Sequence, residues 1–366
     1  MDILFAIRED YQERIGGDTF QFLFTKKYLE KNYGTNIIVL KTPEEIENYP
    51  DIKVIHVFNM QNRNWTYNFL KKAKDCGKKT LLSTIYWDFS DVQYAARMMR
   101  FTTDMRVMGL FRPFKNIMAL LMDVIRGRDI GDRKNIESYR ELLQLVDMIL
   151  PNSYEEAKVV ERIFGRFDYQ VRTVPNAIAP LVERDCVKDV PEMYKNCILQ
   201  VGRIEHIKNQ GGVIQACMGN DIPIVFIGRI EDPRYYAQIK KLADKRGNVH
   251  FLGEMPQEKI ADYYSAAKVH VLPSLRESPG LVTLEAMYYG CNVVVSNETF
   301  CPIKYYQLDK NGYVCNPFSV NSIRKAIEKA YHDQKRQYDE SLFQFISYEN
   351  AAKHTQEAYN AILNDA

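Results

Sequence analysis

The sequence is short of the features that mark secreted, membrane-spanning or metal-centred proteins. Its seven cysteines (Cys76, Cys186, Cys197, Cys217, Cys291, Cys301 and Cys315) are scattered, odd in number and never spaced as a CxxC pair. That fits reduced thiols in the cytosol better than a disulfide framework or a zinc site. No apolar run reaches the roughly 18 residues of a membrane span. The opening apolar run soon meets Arg8-Glu9-Asp10, which predicts no secretory leader. Net charge is only +2, so the chain as a whole is no nucleic-acid binder and any basic surface is local. There is no Asp-x-Asp pair to hold a metal. No Gly-x-Gly-x-x-Gly follows the first strand, which counts against a nicotinamide oxidoreductase. Internal repeats and low-complexity tracts are absent too. What remains is 366 residues of ordinary globular composition, 46% hydrophobic and 26% charged, enough for two domains with substantial cores.

The apolar patterning predicts an α/β protein. Strand-like runs at 3–7, 36–40, 54–58, 79–85 and 148–150 alternate with helical stretches, which argues a parallel sheet covered on both faces. Gly16-Gly17, between the first strand and a helical pattern, reads either as a plain tight turn or as a place where backbone approaches a ligand. His56 lies in a strand that ends at the carboxyl edge, where open α/β sheets bind ligands; a packed structural role is the other reading. Asp88 offers a polar contact to a ligand hydroxyl or a cap for the next helix. In the second half, strands are expected at 197–202, 222–227, 249–253, 267–272 and 293–295. His206 and His270 read as bland.

Two stretches concentrate chemistry. In Val201-Gly202-Arg203-Ile204-Glu205-His206-Ile207-Lys208, two cations follow the carboxyl end of a strand, where they can neutralise a diphosphate. In Glu277-Ser278-Pro279-Gly280-Leu281-Val282-Thr283-Leu284-Glu285, Ser278 is the expected N-cap and Pro279 the first helical residue. The helix is expected to stop at Gly290. Free N–H groups at Gly280 and Leu281 would face a phosphate at the helix mouth, with Glu277 and Glu285 on either side.

The Glu-x7-Glu run, with Ser-Pro-Gly-Leu inside and Glu-Ala-Met after it, resembles the signature of retaining glycosyltransferase family 4, of the GT-B type. The likeness covers nearly the whole chain, most closely 147–289. It implies two Rossmann-like doubly wound parallel-sheet domains facing across a cleft: an acceptor-binding domain over 1–180, a nucleotide-sugar-binding domain over 181–345, and a terminal helix over 346–366 crossing back to the first. It implies transfer of a sugar from a nucleotide-diphosphate donor to a glycan, lipid-linked or other acceptor in cell-surface polysaccharide or glycoconjugate synthesis. Arg203 and Lys208 would bind the donor diphosphate and assist catalysis with Glu277, which holds hydroxyls of the donor sugar. Glu285 would take the ribose. Gly17, Arg229, Gly253, Ser278, Gly280 and Leu281 complete the expected donor set; Gly16, His56 and Asp88 form the expected acceptor set. Arg229 and Gly253 read equally as a surface arginine and a turn glycine. Fixed cations and amides would do a metal's work, so no cofactor is expected. Two departures stand out. Tyr86-Trp87 occupies the place of the family's usual histidine, and Gly290-Cys291-Asn292 replaces its usual Gly-Pro-Val turn. The alternative is a non-catalytic sugar-nucleotide-binding or scaffold protein of the same fold.

Residues 94–128 differ in composition. Arg97, Arg100, Arg106, Arg112, Lys115, Arg126 and Arg128 face Asp104 and Asp123, interleaved with Met and Phe. This reads as an interfacial segment for an anionic membrane surface, or as amphipathic helices with a solvated basic face. The thiols and the opening residues point to a cytoplasmic protein, and the first reading adds a peripheral place at the inner face of the membrane. The stretch 180–191 is the expected linker.

Overall fold

The computed structural model describes residues 1–11, 13, 16–125, 133–178, 183–184 and 188–364, with the backbone alone at 122–125 and 133. Half of the expected linker, together with Cys186, Arg126 and Arg128, lies outside the described residues. The chain forms two units, each around its own sheet. One holds residues 1–87, 129–179 and 340–366, the other 88–128 and 180–339.

The first unit contains β1 (Asp2–Ala6), β2 (Asn36–Leu40), β3 (Val54–Phe58), β4 (Lys79–Ser83), β5 (Met148–Ile149) and β6 (Gln170–Val171). All pair in parallel in the order β2-β1-β3-β4-β5-β6. Ile3 through Ala6 are fully buried, as a continuous apolar strand must be when helices cover both faces of a sheet. The C-terminal helix Tyr348–Asn364 belongs to this unit. Its Tyr348 ring stacks 4.8 Å from Phe24, and its Tyr359 reaches the core.

That last contact corrects one expectation. His56 is almost fully buried, between Phe5 and Phe58. Its Nδ1 lies 2.8 Å from the Tyr359 hydroxyl and its Nε2 2.9 Å from Ser83 Oγ. Burial lowers its pKa to about 3, so the ring is neutral with both nitrogens engaged. His56 is a satisfied core histidine and has no atom left for an acceptor.

The second unit contains β7 (Ile198–Val201), β8 (Ile224–Ile227), β9 (Val249–Phe251), β10 (Val269–Leu272), β11 (Asn292–Ser296) and β12 (Tyr313–Cys315). The order is β12-β11-β10-β7-β8-β9, again parallel. Residues 88–128 join this unit, where the sequence reading had kept them in the first domain. The reason is an apolar face that the second unit covers. Val92, Tyr94, Ala95, Met98, Met105 and Met108 are buried in its core cluster. Buried Asp91 holds Arg112 at 2.9 Å and Lys115 at 2.8 Å. The Arg112 guanidinium also lies over the rings of Phe300 and Phe318, 5.0 and 5.2 Å from their centroids. At Gly109 a Cβ would come within 2.2 Å of the Phe318 carbonyl, so only glycine permits this approach. The outer face stays apolar: Phe101, Leu110, Phe114, Ile117 and Leu121 are exposed. Among the described residues, no helix is long and apolar enough to cross a membrane.

Candidate functional site

In the second unit the chain leaves β7 toward β8 and β9, then returns to the other side of β7 with β10. Loops that depart in opposite directions leave a crevice at the carboxyl ends of these two strands. Three strand ends on one side close on glycines at positive φ: Gly202 at 146°, Gly228 at 149° and Gly253 at 74°. The Gly202 N–H donates to the Ile227 carbonyl and the Gly228 N–H to that of Gly253. A Cβ on Gly228 would stand 2.1 Å from the Gly202 oxygen. Glycine is therefore required for the ends of β7 and β8 to converge.

The loop after β7 is stitched to the loop after β10. The Leu275 N–H donates to the Ile207 carbonyl at 2.8 Å. Asn209, in the left-handed conformation, donates through Nδ2 to Pro273 O and Pro317 O, and its Oδ1 accepts from Gly212 N–H. Gln200 and Gln210 donate to the carbonyls of Lys208 and Arg203. So fixed, Lys208 runs its aliphatic chain past Gly202, 3.9 Å from where a Cβ would be. Its Nζ meets Glu277 Oε1 at 2.5 Å, with both side chains largely buried. Arg203 remains about half exposed and pairs with buried Glu205 at 2.9 Å. Burial raises the Glu205 pKa, while Arg203 and Lys208 oppose the rise.

On the β10 side, the Glu277 N–H donates to Phe300 O at 2.8 Å. The helix begins at Leu281, with Gly280 as its N-cap at φ +87°. This corrects the expectation that Ser278 caps it and Pro279 opens it; both belong to the turn before. A Cβ on Gly280 would sit 3.0 Å from Leu272 Cδ2 and 3.3 Å from Glu277 Oε2. The helix mouth is thus glycine-lined and lies directly beside the Lys208–Glu277 pair. Glu285, one turn on, accepts from Tyr264 Oη and Gln257 Nε2, both at 3.2 Å. Burial raises its pKa to about 7, against the lowering effect of these two bonds.

The structure brings Arg203, Lys208, Glu277, Gly280 and Leu281 to one crevice. Glu285 shares the helix but makes its bonds to Tyr264 and Gln257. Arg229 and Gly253 end the neighbouring strands; Arg229 is about half exposed and paired with Glu231 at 2.8 Å. Of the expected acceptor residues, Gly16 is the N-cap of the helix Gly17–Tyr33 in the first unit. Asp88 accepts from the Ser90 N–H at the start of the helix Ser90–Met98. Sequence reasoning missed Glu205, Asn209, Gln257 and Tyr264, the residues that hold the expected ones in place. Glu205 lies inside the noted run and Asn209 directly after it, but nothing in their type marks them as supports.

Two six-stranded parallel sheets of this order define the GT-B class. A sucrose-phosphate synthase from Thermosynechococcus elongatus superimposes over the whole of both chains with TM-score 0.73 at 15% identity. The profile of "Glycosyl transferases group 1" matches residues 186–344. Among curated relatives, O-antigen chain mannosyltransferase B of Escherichia coli is 30% identical over 211 residues, 54% of this chain and 55% of its own length. Serotype-specific mannosyltransferase WbdA of Escherichia coli is 26% identical over 205 residues, 53% of this chain and 23% of its own. Over residues 186–344 the chain is similar to the group 1 glycosyl transferases. It spans between about a quarter and about half the length of these two relatives.

Proposed function

We propose that this protein is a retaining glycosyltransferase that moves a sugar from a nucleotide-diphosphate donor to an acceptor hydroxyl. The observation that carries the reading is Lys208, pinned over Gly202 against Glu277 and beside the Gly280 helix mouth. An ammonium with three donors can hold Glu277 and still meet a diphosphate. Arg203 supplies a planar second cation, and the first-turn amides of the helix aim further donors at the same oxygens. Negative charge grows on the diphosphate as the anomeric C–O bond breaks, so donors fixed beforehand stabilise the transition state more than the ground state. The acceptor oxygen then bonds to the anomeric carbon from the face the diphosphate leaves, and its proton passes to a phosphate oxygen. Products are a glycoside with retained configuration and a nucleoside diphosphate. On this reading Glu277 orients donor hydroxyls, Glu285 the ribose, and no metal takes part.

Relatives named as mannosyltransferases make mannose nucleotide-sugars the first donors to try, with a glycan or lipid-linked acceptor of cell-surface polysaccharide. A thermal-shift screen of nucleotide-sugars, followed by product analysis, tests the assignment. A selective shift with sugar transfer or donor hydrolysis is expected. Binding without either would favour the non-catalytic scaffold reading, and no shift with any donor would defeat both. The exposed apolar residues of 101–121 beside Arg97 and Arg100 support contact with an anionic membrane surface from the cytoplasmic side.

A further inference from the structure

Arg203 has a second claimant besides a donor. The backbone around it is fixed: the Ile204 N–H donates to Arg229 O at 2.8 Å, Gln210 Nε2 donates to Arg203 O at 2.8 Å, and the Lys208 N–H donates to Glu205 O at 3.0 Å. Glu205 immediately precedes the short turn His206–Lys208. Its side chain is buried, while that of Arg203 is about half exposed. The carboxylate is therefore the fixed partner and the guanidinium the one with room to swing. Arg203 Nη2 lies 2.9 Å from Glu205 Oε1, yet that oxygen has no aligned hydrogen-bond donor among the described residues. A close but misaligned ion pair with one exposed member costs little to break. Charge points the same way. Lys208 is held by Glu277, so the two cations of the crevice already face two carboxylates. Glu231 and Glu277 press on Glu205 as like charges. A diphosphate thus enters a crevice whose positive charge is already balanced, and gains Arg203 only by taking it from Glu205.

Resting on the transferase reading for its role, we propose that Glu205 is a positioning residue that acts through Arg203. It holds the guanidinium in the free protein, yields it to the diphosphate, and takes it back as the nucleoside diphosphate product leaves. Product release sets turnover in many enzymes, so a carboxylate that opposes diphosphate binding has a use. Removing a competitor for the cation tightens binding, whereas removing a mere support for the loop loosens it, so the sign of the effect decides. The full chain is titrated calorimetrically with inorganic pyrophosphate, GDP and UDP, which sample the diphosphate with and without a base. Glu205→Gln, the same shape without the charge, should bind pyrophosphate and the preferred nucleotide about fivefold more tightly, the upper end for a pair with one exposed member. Glu205→Asp keeps the charge but draws it back, and should fall between the parent and Glu205→Gln. Stopped-flow chase of the N-methylanthraniloyl derivative of that nucleotide should place the gain in slower dissociation. In an Arg203→Gln background, Glu205→Gln should add no more than about twofold, the scatter expected of independent sites. Unchanged or weaker binding in the Glu205 variants, a gain confined to the association rate, or an equal gain without Arg203 overturns the proposal. Nucleotide binding that ignores Glu205 removes this inference alone. A chain that binds neither pyrophosphate nor either nucleotide removes the donor reading, and this inference with it.

Discussion

The Glu285 carboxyl offers a test in which proton and donor compete for one group. Its pKa is raised from 4.5 to about 7 by burial, so at neutral pH it is close to half-ionised. A carboxylate accepts hydrogen bonds from two ribose hydroxyls; a protonated carboxyl must first give up or turn its own hydrogen. Donor affinity should therefore rise with pH up to about 7 and level off above it. The slope on the acid side approaches tenfold per pH unit, or about 1.4 kcal/mol. The free protein should show the opposite trend in stability. Folded Glu285 holds its proton more tightly than the unfolded chain does, so between pH 4.5 and 7 the native state loses stability as pH rises. Over that window the loss is about 3 kcal/mol at most. Tyr264, the hydroxyl donor to Glu285, has its pKa pushed well above 10 and stays silent. Glu285→Gln should flatten both profiles, being more stable than the parent at pH 8 and no different near pH 4.5. Calorimetric titration with a nucleotide-sugar, whose phosphates stay ionised throughout, gives the affinity; chemical denaturation gives the stability. Donor binding that remains pH-independent in the parent, or keeps the same slope in Glu285→Gln, refutes the assignment of Glu285 to the ribose.

Other expectations are simpler. Lys208→Met keeps the aliphatic cover over Gly202 but removes the ammonium; donor affinity should fall about 10- to 100-fold, the worth of one charge-assisted hydrogen bond, and unchanged affinity would contradict the diphosphate role. Gly228→Ala should destabilise by about 3 kcal/mol or more, because strain at positive φ adds to overlap with the Gly202 carbonyl. Gly219→Ala, with φ +94° but nothing within 4 Å, is its control and should cost about 1 kcal/mol in the same urea titration. Transfer activity should survive EDTA; abolition reversed by Mg²⁺ would sink the metal-free mechanism. Vesicles containing phosphatidylserine should sediment the protein, and the double variant Leu110→Glu, Ile117→Glu should not; equal sedimentation would move the contact elsewhere.

How much of this was legible in the sequence depends on what each residue answers to. Strand runs such as 36–40 and 54–58 were readable to the residue, because strands of a parallel sheet covered by helices are predominantly apolar. Lys208, Glu277 and Gly280 were readable as a set because a phosphate site needs cations and side-chain-free backbone at strand and helix ends. The Gly280 cap was not: Ser278 and Pro279 are the better local candidates by propensity. Tertiary packing moved the helix start to the residue that fits between Leu272 and Glu277. His56 shows the converse error. A polar residue at a ligand edge invites a functional reading, yet its partners, Ser83 and Tyr359, come from 27 and 303 residues away, a separation no local pattern spans.

The segment 88–128 makes the same point at the level of a whole unit. Its amphipathic pattern states that one face seeks apolar cover, and nothing in the pattern says which sheet provides it. The choice rests on single contacts: Gly109 admitting the Phe318 carbonyl, Gln215 accepting from the Met105 N–H and donating to Thr103 O, and Asp91 gathering Arg112 and Lys115. Asp91 lies just before the basic run begins, so counting charge from residue 94 overstates its free cations by these two. What stays free is smaller and more apolar than the sequence count implied. A membrane contact through this face would therefore depend more on Leu110, Phe114 and Ile117 entering the interface than on salt-sensitive attraction, and raising ionic strength should weaken it only modestly.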